Sequence, residues 1–169
     1  MPLNVSLIAA IQGLLTQAVG LGEASLPLEF PGQVLLVDGT GAGQANQVYR
    51  ARRTLAASAF EDLDLSGASL QNPFGTNIAF ARIKAVGIAA LAANVNNVVV
   101  GGAPSNAWVG PFGAATHTKA VRPGGFELWA CNDATGWPVT ATTADLLRIA
   151  NSAGGSSVTY DILLIGATA

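Results

Sequence analysis

Val158-Thr159-Tyr160-Asp161-Ile162-Leu163-Leu164-Ile165 is the stretch on which the fold class of this chain turns. Side chains of a strand alternate between two faces, so Val158, Tyr160, Ile162 and Leu164 share one side and Thr159, Asp161, Leu163 and Ile165 the other. The first set is apolar or aromatic throughout, whereas the second begins polar and ends apolar. Such a strand starts at a wet edge and finishes covered on both sides, which predicts a two-sheet sandwich or a subunit contact near the C-terminus.

The same period recurs upstream, where Leu63 and Leu65 alternate with Asp62, Asp64 and Ser66 to give a strand with one dry face. Glycine (20 residues) and proline (8 residues) punctuate the whole chain, and the segments between them favour β-branched and aromatic residues. Candidate strands are Gln33–Val37, Ser58–Asp64, Asn77–Ala81, Ile83–Leu91, Asn96–Gly101, Ala107–Val109, His117–Val121, Phe126–Asn132, Trp137–Thr140, Leu146–Ala150 and Ser157–Ile165. These are too many for one flat sheet. Residues 32–169 therefore read as one all-β sandwich domain.

Residues 1–31 read differently. Leu7, Ile8, Ile11, Leu14 and Leu15 recur at helical spacing, with Asn4 or Ser6 available as a cap and Gly20 or Gly22 as a stop. Leu26-Pro27-Leu28-Glu29-Phe30-Pro31 follows as an extended, proline-stiffened link. The expectation is a short helical or extended arm, packed on its own domain or docked on a neighbouring subunit.

Composition narrows the classes of function. Of the 169 residues 50% are apolar and only 11% charged, which excludes intrinsic disorder. A net charge of −2 leaves little field to steer an anionic polymer, so direct nucleic-acid binding is not expected. Mean hydropathy is +0.43, yet no apolar run approaches the roughly 18 residues that span a bilayer as a helix, so no membrane partner is expected. Met1-Pro2-Leu3-Asn4 lacks the basic start of a secretory signal, and the segment is read as part of the mature protein. The single cysteine, Cys131, forms no intramolecular disulfide, which suits synthesis in a reducing cytoplasm.

Motifs with chemical potential are few. Gly39-Thr40-Gly41-Ala42-Gly43 looks superficially like a phosphate loop but lacks the Lys-Ser/Thr of a P-loop and the spacing of a dinucleotide fingerprint; a tight turn is expected. His117 is the only histidine, so a His-based metal cluster is not expected, nor a triad with Asp133, Asp145 or Asp161. Asp62 and Asp64 share a strand face at roughly 7 Å, a separation a glycosidase or calcium site could use, but a solvated face accounts for them. Arg50-Ala51-Arg52-Arg53 is the only basic cluster and reads as a salt-bridge or subunit contact. No catalytic residue, cofactor site or metal site is assigned. Trp129 is expected in the core, while Trp108 and Trp137 sit beside turn signals and could anchor an interface, cap the sandwich or stack on a sugar.

Several blocks resemble a family of small tailed-phage virion structural proteins of the capsid-decoration, cement-like kind. They are Arg53-Thr54-Leu55-Ala56-Ala57-Ser58, Asp62-Leu63-Asp64-Leu65-Ser66-Gly67, Phe80-Ala81-Arg82-Ile83-Lys84-Ala85 and Val98-Val99-Val100-Gly101-Gly102. Val121-Arg122-Pro123-Gly124-Gly125, Asp133-Ala134-Thr135-Gly136, Asp145 to Ser152 and Val158 to Gly166 extend the resemblance over most of the chain, the first thirty residues matching least. The resemblance implies a β-sandwich of jelly-roll type, working without catalysis as a symmetric homo-oligomer, a trimer by preference. It further implies a place on the capsid surface of the virion against the major capsid protein, with a tail, collar or fibre component that binds a receptor or glycan as the alternative. Leu7, Ile11, Leu14, Phe30, Trp108, Phe112 and Trp137 are the expected interface residues.

Overall fold

The computed structural model describes residues 2–20 and 22–168. Its elements in chain order are β1 (Val5–Val19), β2 (Gly22–Asp38), β3 (Gln44–Ala45), β4 (Gln47–Leu55), β5 (Phe60–Asp64), β6 (Leu70–Gln71) and β7 (Asn77–Ile78). There follow β8 (Arg82–Ala90), β9 (Val98–Gly101), a 3-10 turn at Gly110–Phe112, β10 (Thr118–Val121), β11 (Phe126–Ala130), β12 (Trp137–Pro138), β13 (Leu146–Asn151) and β14 (Val158–Ala167). The protein is all-β, as the alternation in residues 158–165 predicts.

Two antiparallel sheets make the body. One runs β11-β8-β14-β4, with β12 added to the end of β8; the other runs β10-β9-β13-β5. Between them lies a core to which the first sheet contributes Tyr49, Val86, Ile88, Tyr160, Ile162 and Leu164, and the second Leu63, Val98, Val100, Leu147 and Ile149. Removing each such side chain from water contributes about 1.5–3 kcal/mol, which is what holds the sheets face to face. Residues 158, 160, 162 and 164 are all buried in this core, on the face the sequence assigns to them.

The other face of β14 explains its change of character. Asp161 is bonded to Arg52 at 2.7 Å near the wet end, while Ile165 is buried in a second, smaller apolar cluster with Leu36, Ala45 and Ala85. Leu3, Val5, Leu7 and Val34 pack on that cluster, so the N-terminal segment supplies the second cover. Just beyond, the ladder between β14 and β8 shifts register at Ile165/Gly166, a bulge in the sheet.

The N-terminal segment is not a helix. β1 and β2 form a continuous antiparallel ribbon from Val5↔Leu36 to Val19↔Gly22, and β2 runs straight through residues 31 and 32. Leu7, Ile11 and Leu15 point to one face of this ribbon and Ile8 and Leu14 to the other, so the stripe seen at helical spacing is divided. The helical period lost because a complementary strand follows directly, and Gly20, at φ +53°, adopts the left-handed conformation of a tight hairpin turn where a helix stop was expected. Pro27 and Pro31, four residues apart, share one ladder parity, as they must if their missing donors are to fall on the free edge of β2. The sequence reading also passed over β4, and Ala107 forms only a single bridge to Leu146 where a strand was expected.

Candidate interaction surface

In the register of the ribbon, Val5, Leu7, Ile11, Leu15 and Val19 of β1 lie beside Leu26, Leu28, Phe30, Val34 and Leu36 of β2 on one face. That face is almost wholly apolar, Gln17 being its one polar residue between positions 5 and 19. The opposite face carries Ser6, Gln12, Thr16, Glu23, Ser25, Glu29 and Gln33, with Ile8, Leu14 and Leu35 interspersed. The ribbon is therefore amphipathic in the sense of a half-buried sheet. Only its base is buried. Ile11 and Phe30, directly paired, are both 68% exposed. A solvated two-stranded hairpin is marginal in water by itself.

The base of the ribbon covers one half of the outer face of the β11-β8-β14-β4 sheet, over Val48, Ala85, Ala130 and Ile165. The other half is open and forms a shallow depression of about 310 Å³ floored by Gly87, Ala89, Leu128 and Leu163 and walled by Phe126 and Arg50. Phe126 is 72% exposed there. Leu163 touches both halves, so they are one continuous apolar strip. Arg50 has no ion-pair partner among the described residues, in contrast to Arg52, Arg53, Arg148 and Lys119, which bond Asp161, Glu61, Asp62 and Glu127.

The expected interface residues fall into two groups. Leu7, Ile11, Leu14 and Phe30 all lie on the ribbon, Leu7 half-buried at its base, Ile11 and Phe30 on the apolar face and Leu14 on the mixed face. Trp108, Phe112 and Trp137 are in the body. Trp108 is only 2% exposed and donates its indole N–H to the Pro138 carbonyl at 3.0 Å, so it offers no ring face to a partner or a sugar. Phe112 sits edge-on between Trp108 and Trp129, with ring centroids at 6.4 and 5.7 Å. Trp137 is half-buried against the main core, as is Trp129. The sequence reading missed Phe126, Leu128 and Leu163 as surface residues; the apolar end of the outer β14 face was the available signal for the last of them.

The polar candidates are each engaged structurally. Asp62 accepts two hydrogen bonds from Arg148, at 2.8 and 2.7 Å, while the Arg148 guanidinium lies 3.8 Å from the centre of the Phe60 ring. Asp64 accepts from the Ser66 and Gly67 amides at 3.0 and 2.7 Å and so closes the turn after β5. Asp62 thus ties β5 to β13 and Asp64 closes the turn, while both also line one shallow surface depression with Glu61. The exposed His117 places Nδ1 2.7 Å from the Phe112 carbonyl, just before β10. Gly39 and Gly43 both have positive φ in the turn after β2, in keeping with the expected tight loop. Lys84, fully buried, donates to the Asp133 carbonyl. Asp133 caps the Gly136 amide at 2.8 Å, and that bond holds its carboxyl below the usual carboxylate range. No group of His, Cys, Asp and Glu suited to a metal ion occurs among the described residues, and no described helix is long and apolar enough to cross a membrane.

Comparison with known proteins finds no matching family model, no matching curated protein and no matching solved structure.

Proposed function

We propose that the chain is a tailed-phage virion structural protein, a decoration or cement protein that binds the head surface as a symmetric homo-oligomer, with a trimer as the preferred state. The major capsid protein is its proposed partner and the capsid surface its proposed location. The observation that carries this reading is the amphipathic ribbon projecting from a closed sandwich: a small body with a long, sticky arm suits a protein that works by making contacts. The work is mechanical. Apolar area buried at about 25 cal/mol per Å², repeated at every joint of a shell, opposes the outward pressure of packaged DNA without any bond being made or broken.

The jelly-roll form of the sandwich belongs to the same proposal, and strand order supports it. Counting the main body strands β4, β5, β8, β9, β10, β11, β13 and β14 as 1 to 8, one sheet reads 1-8-3-6 and the other 2-7-4-5. That is the interleaving produced when a paired chain wraps twice around a sandwich, two Greek keys in succession. The test mixes the purified protein with heads that lack it and measures copy number bound and the temperature of DNA release. Saturation at a symmetry-related number with a raised release temperature is expected. Absence of binding to heads would overturn the reading and move the protein to the tail, collar or fibre.

A further inference from the structure

We propose that the projecting half of the ribbon in one copy lies, apolar face down, on the open half of the outer β11-β8-β14-β4 face of a second copy. The inference rests on the self-associating part of the reading above and names the surfaces that do it. Three observations point to a second copy of this chain as the occupant.

The first is continuity. Each copy already packs a ribbon on this sheet face, since Val5, Leu7, Val34 and Leu36 at the base cover Val48, Ala85, Ala130 and Ile165. The strip continues through Leu163 into the depression floored by Gly87, Ala89 and Leu128, where the same mode of packing is left unfilled. Small residues in β8 leave room there for the larger side chains that the ribbon exposes, Ile11, Leu15, Leu26, Leu28 and Phe30.

The second is area. At about 3.4 Å per residue and about 4.8 Å between strands, the ribbon beyond its base presents a face of roughly 40 by 10 Å, on the order of 400 Å². Where two copies exchange ribbons reciprocally, each donates one and receives one, which removes about 800 Å² per copy at a single interface, the share of a standard stable one; in a larger ring the same area per copy is divided between two joints.

The third is charge. The first basic residue of the chain is Arg50, and the ribbon's charges are Glu23 and Glu29, both exposed. An arm without a cation has no attraction for nucleic acid or an anionic membrane. The receiving depression is lined by Arg50 and by Asp161 and Glu127, each carboxylate already bonded to its own cation, and Glu23 and Glu29 leave the ribbon on its opposite face, so the contact is apolar and brings no like charges together.

The test uses the full-length chain in the absence of heads. A photoreactive phenylalanine analogue at position 30, in mixtures of isotopically light and heavy protein, should crosslink between copies, to peptides containing residues 85–90, 126–130 or 161–165. Sedimentation should show an oligomer that falls to a 17.0 kDa monomer with Phe30→Glu on the ribbon and equally with Ala89→Glu on the sheet. Ser6→Lys, on the mixed face, should leave the oligomer intact. Far-ultraviolet circular dichroism on each variant guards against unfolding, and mixing the folded Phe30→Glu and Ala89→Glu proteins should restore partial assembly in a dimer, through the one remaining unmutated ribbon-to-sheet joint. A wild-type monomer, or an oligomer unmoved by both substitutions, would overturn the inference. A monomer that still saturates heads would leave the virion reading standing and assign the ribbon to the shell.

Discussion

Cys131 sits at the end of β11, half-buried, its thiol 3.7 Å from the Lys84 carbonyl. Burial, reinforced by the Asp133 carboxylate, pushes its pKa up to about 11 from 9.0. The folded state thus favours the protonated thiol, and this contribution to stability is intact below about pH 9 and disappears as pH rises toward about 11. Because the thiolate is the nucleophile, and its scarcity outweighs the greater nucleophilicity of a higher-pKa thiolate, alkylation at pH 8 should run about 10-fold slower or more in the native protein than in urea, and should accelerate as pH approaches the raised value. Equal rates in the two states would refute that environment. Asp133 stands two residues from the cysteine in the sequence, but Lys84, which also shapes the site, was invisible there: it lies 47 residues away and reaches the thiol only through the β11-β8 pairing. Trp108 shows the opposite failure. Its flanking turn residues suggested exposure, but the Pro138 carbonyl satisfies its indole and lets the ring enter the core.

Among the elements, the two faces of β14 were legible because they differ in composition and each difference has a physical counterpart, the core on one side and the ribbon base on the other, although the strand runs from Val158 to Ala167 where Ser157 to Ile165 was expected. What its sequence does not announce is the bulge. Gly166 lies where the register slips, and a Cβ there would overlap the Arg82 carbonyl oxygen and stand 2.8 Å from Phe80 Cδ1. The first obstacle is backbone, which cannot swing aside. Gly166→Ala should therefore cost about 1–3 kcal/mol, seen as a lower urea midpoint at unchanged slope; an unchanged midpoint would show that β8 can retreat. The ribbon was misread for a reason equally physical. Leu7, Ile8, Ile11, Leu14 and Leu15 satisfy the helical period, and Gly13 with a few β-branched residues opposes it only weakly. The decision lies in the strand that follows, whose residues 22–36 pair with β1 across the Gly20 turn. β4 was lost because Arg50, Arg52 and Arg53 concealed its inward positions, the buried Tyr49 and Leu55 with the half-buried Ala51 between them.

At the scale of the whole molecule, the two sheets are joined by burial and, at the edge where β4 and β5 face one another, by a polar clamp. Glu61 of β5 accepts from the Tyr160 hydroxyl of β14 at 2.6 Å and from the Arg53 Nε of β4 at 2.6 Å, so one carboxylate from the second sheet bonds two strands of the first. Burial, then the Glu61 carboxylate beside it, holds the Tyr160 hydroxyl protonated well above the usual phenol range, while the bond to Glu61 keeps the Arg53 guanidinium charged. Removing the two partners is not equivalent. Tyr160→Phe deletes the buried donor together with its need for a partner and leaves Glu61 bonded to Arg53, so a loss of about 1 kcal/mol is expected. Glu61→Ala instead leaves a fully buried hydroxyl without an acceptor and a cation without its anion, with an expected loss of about 2–3 kcal/mol. Combining the two should cost less than their sum, because once the hydroxyl is gone its missing acceptor no longer matters. Chemical denaturation of the two single variants and the double variant measures this; strictly additive losses would mean that the sheets are held by apolar burial alone and that the clamp is incidental to the sandwich.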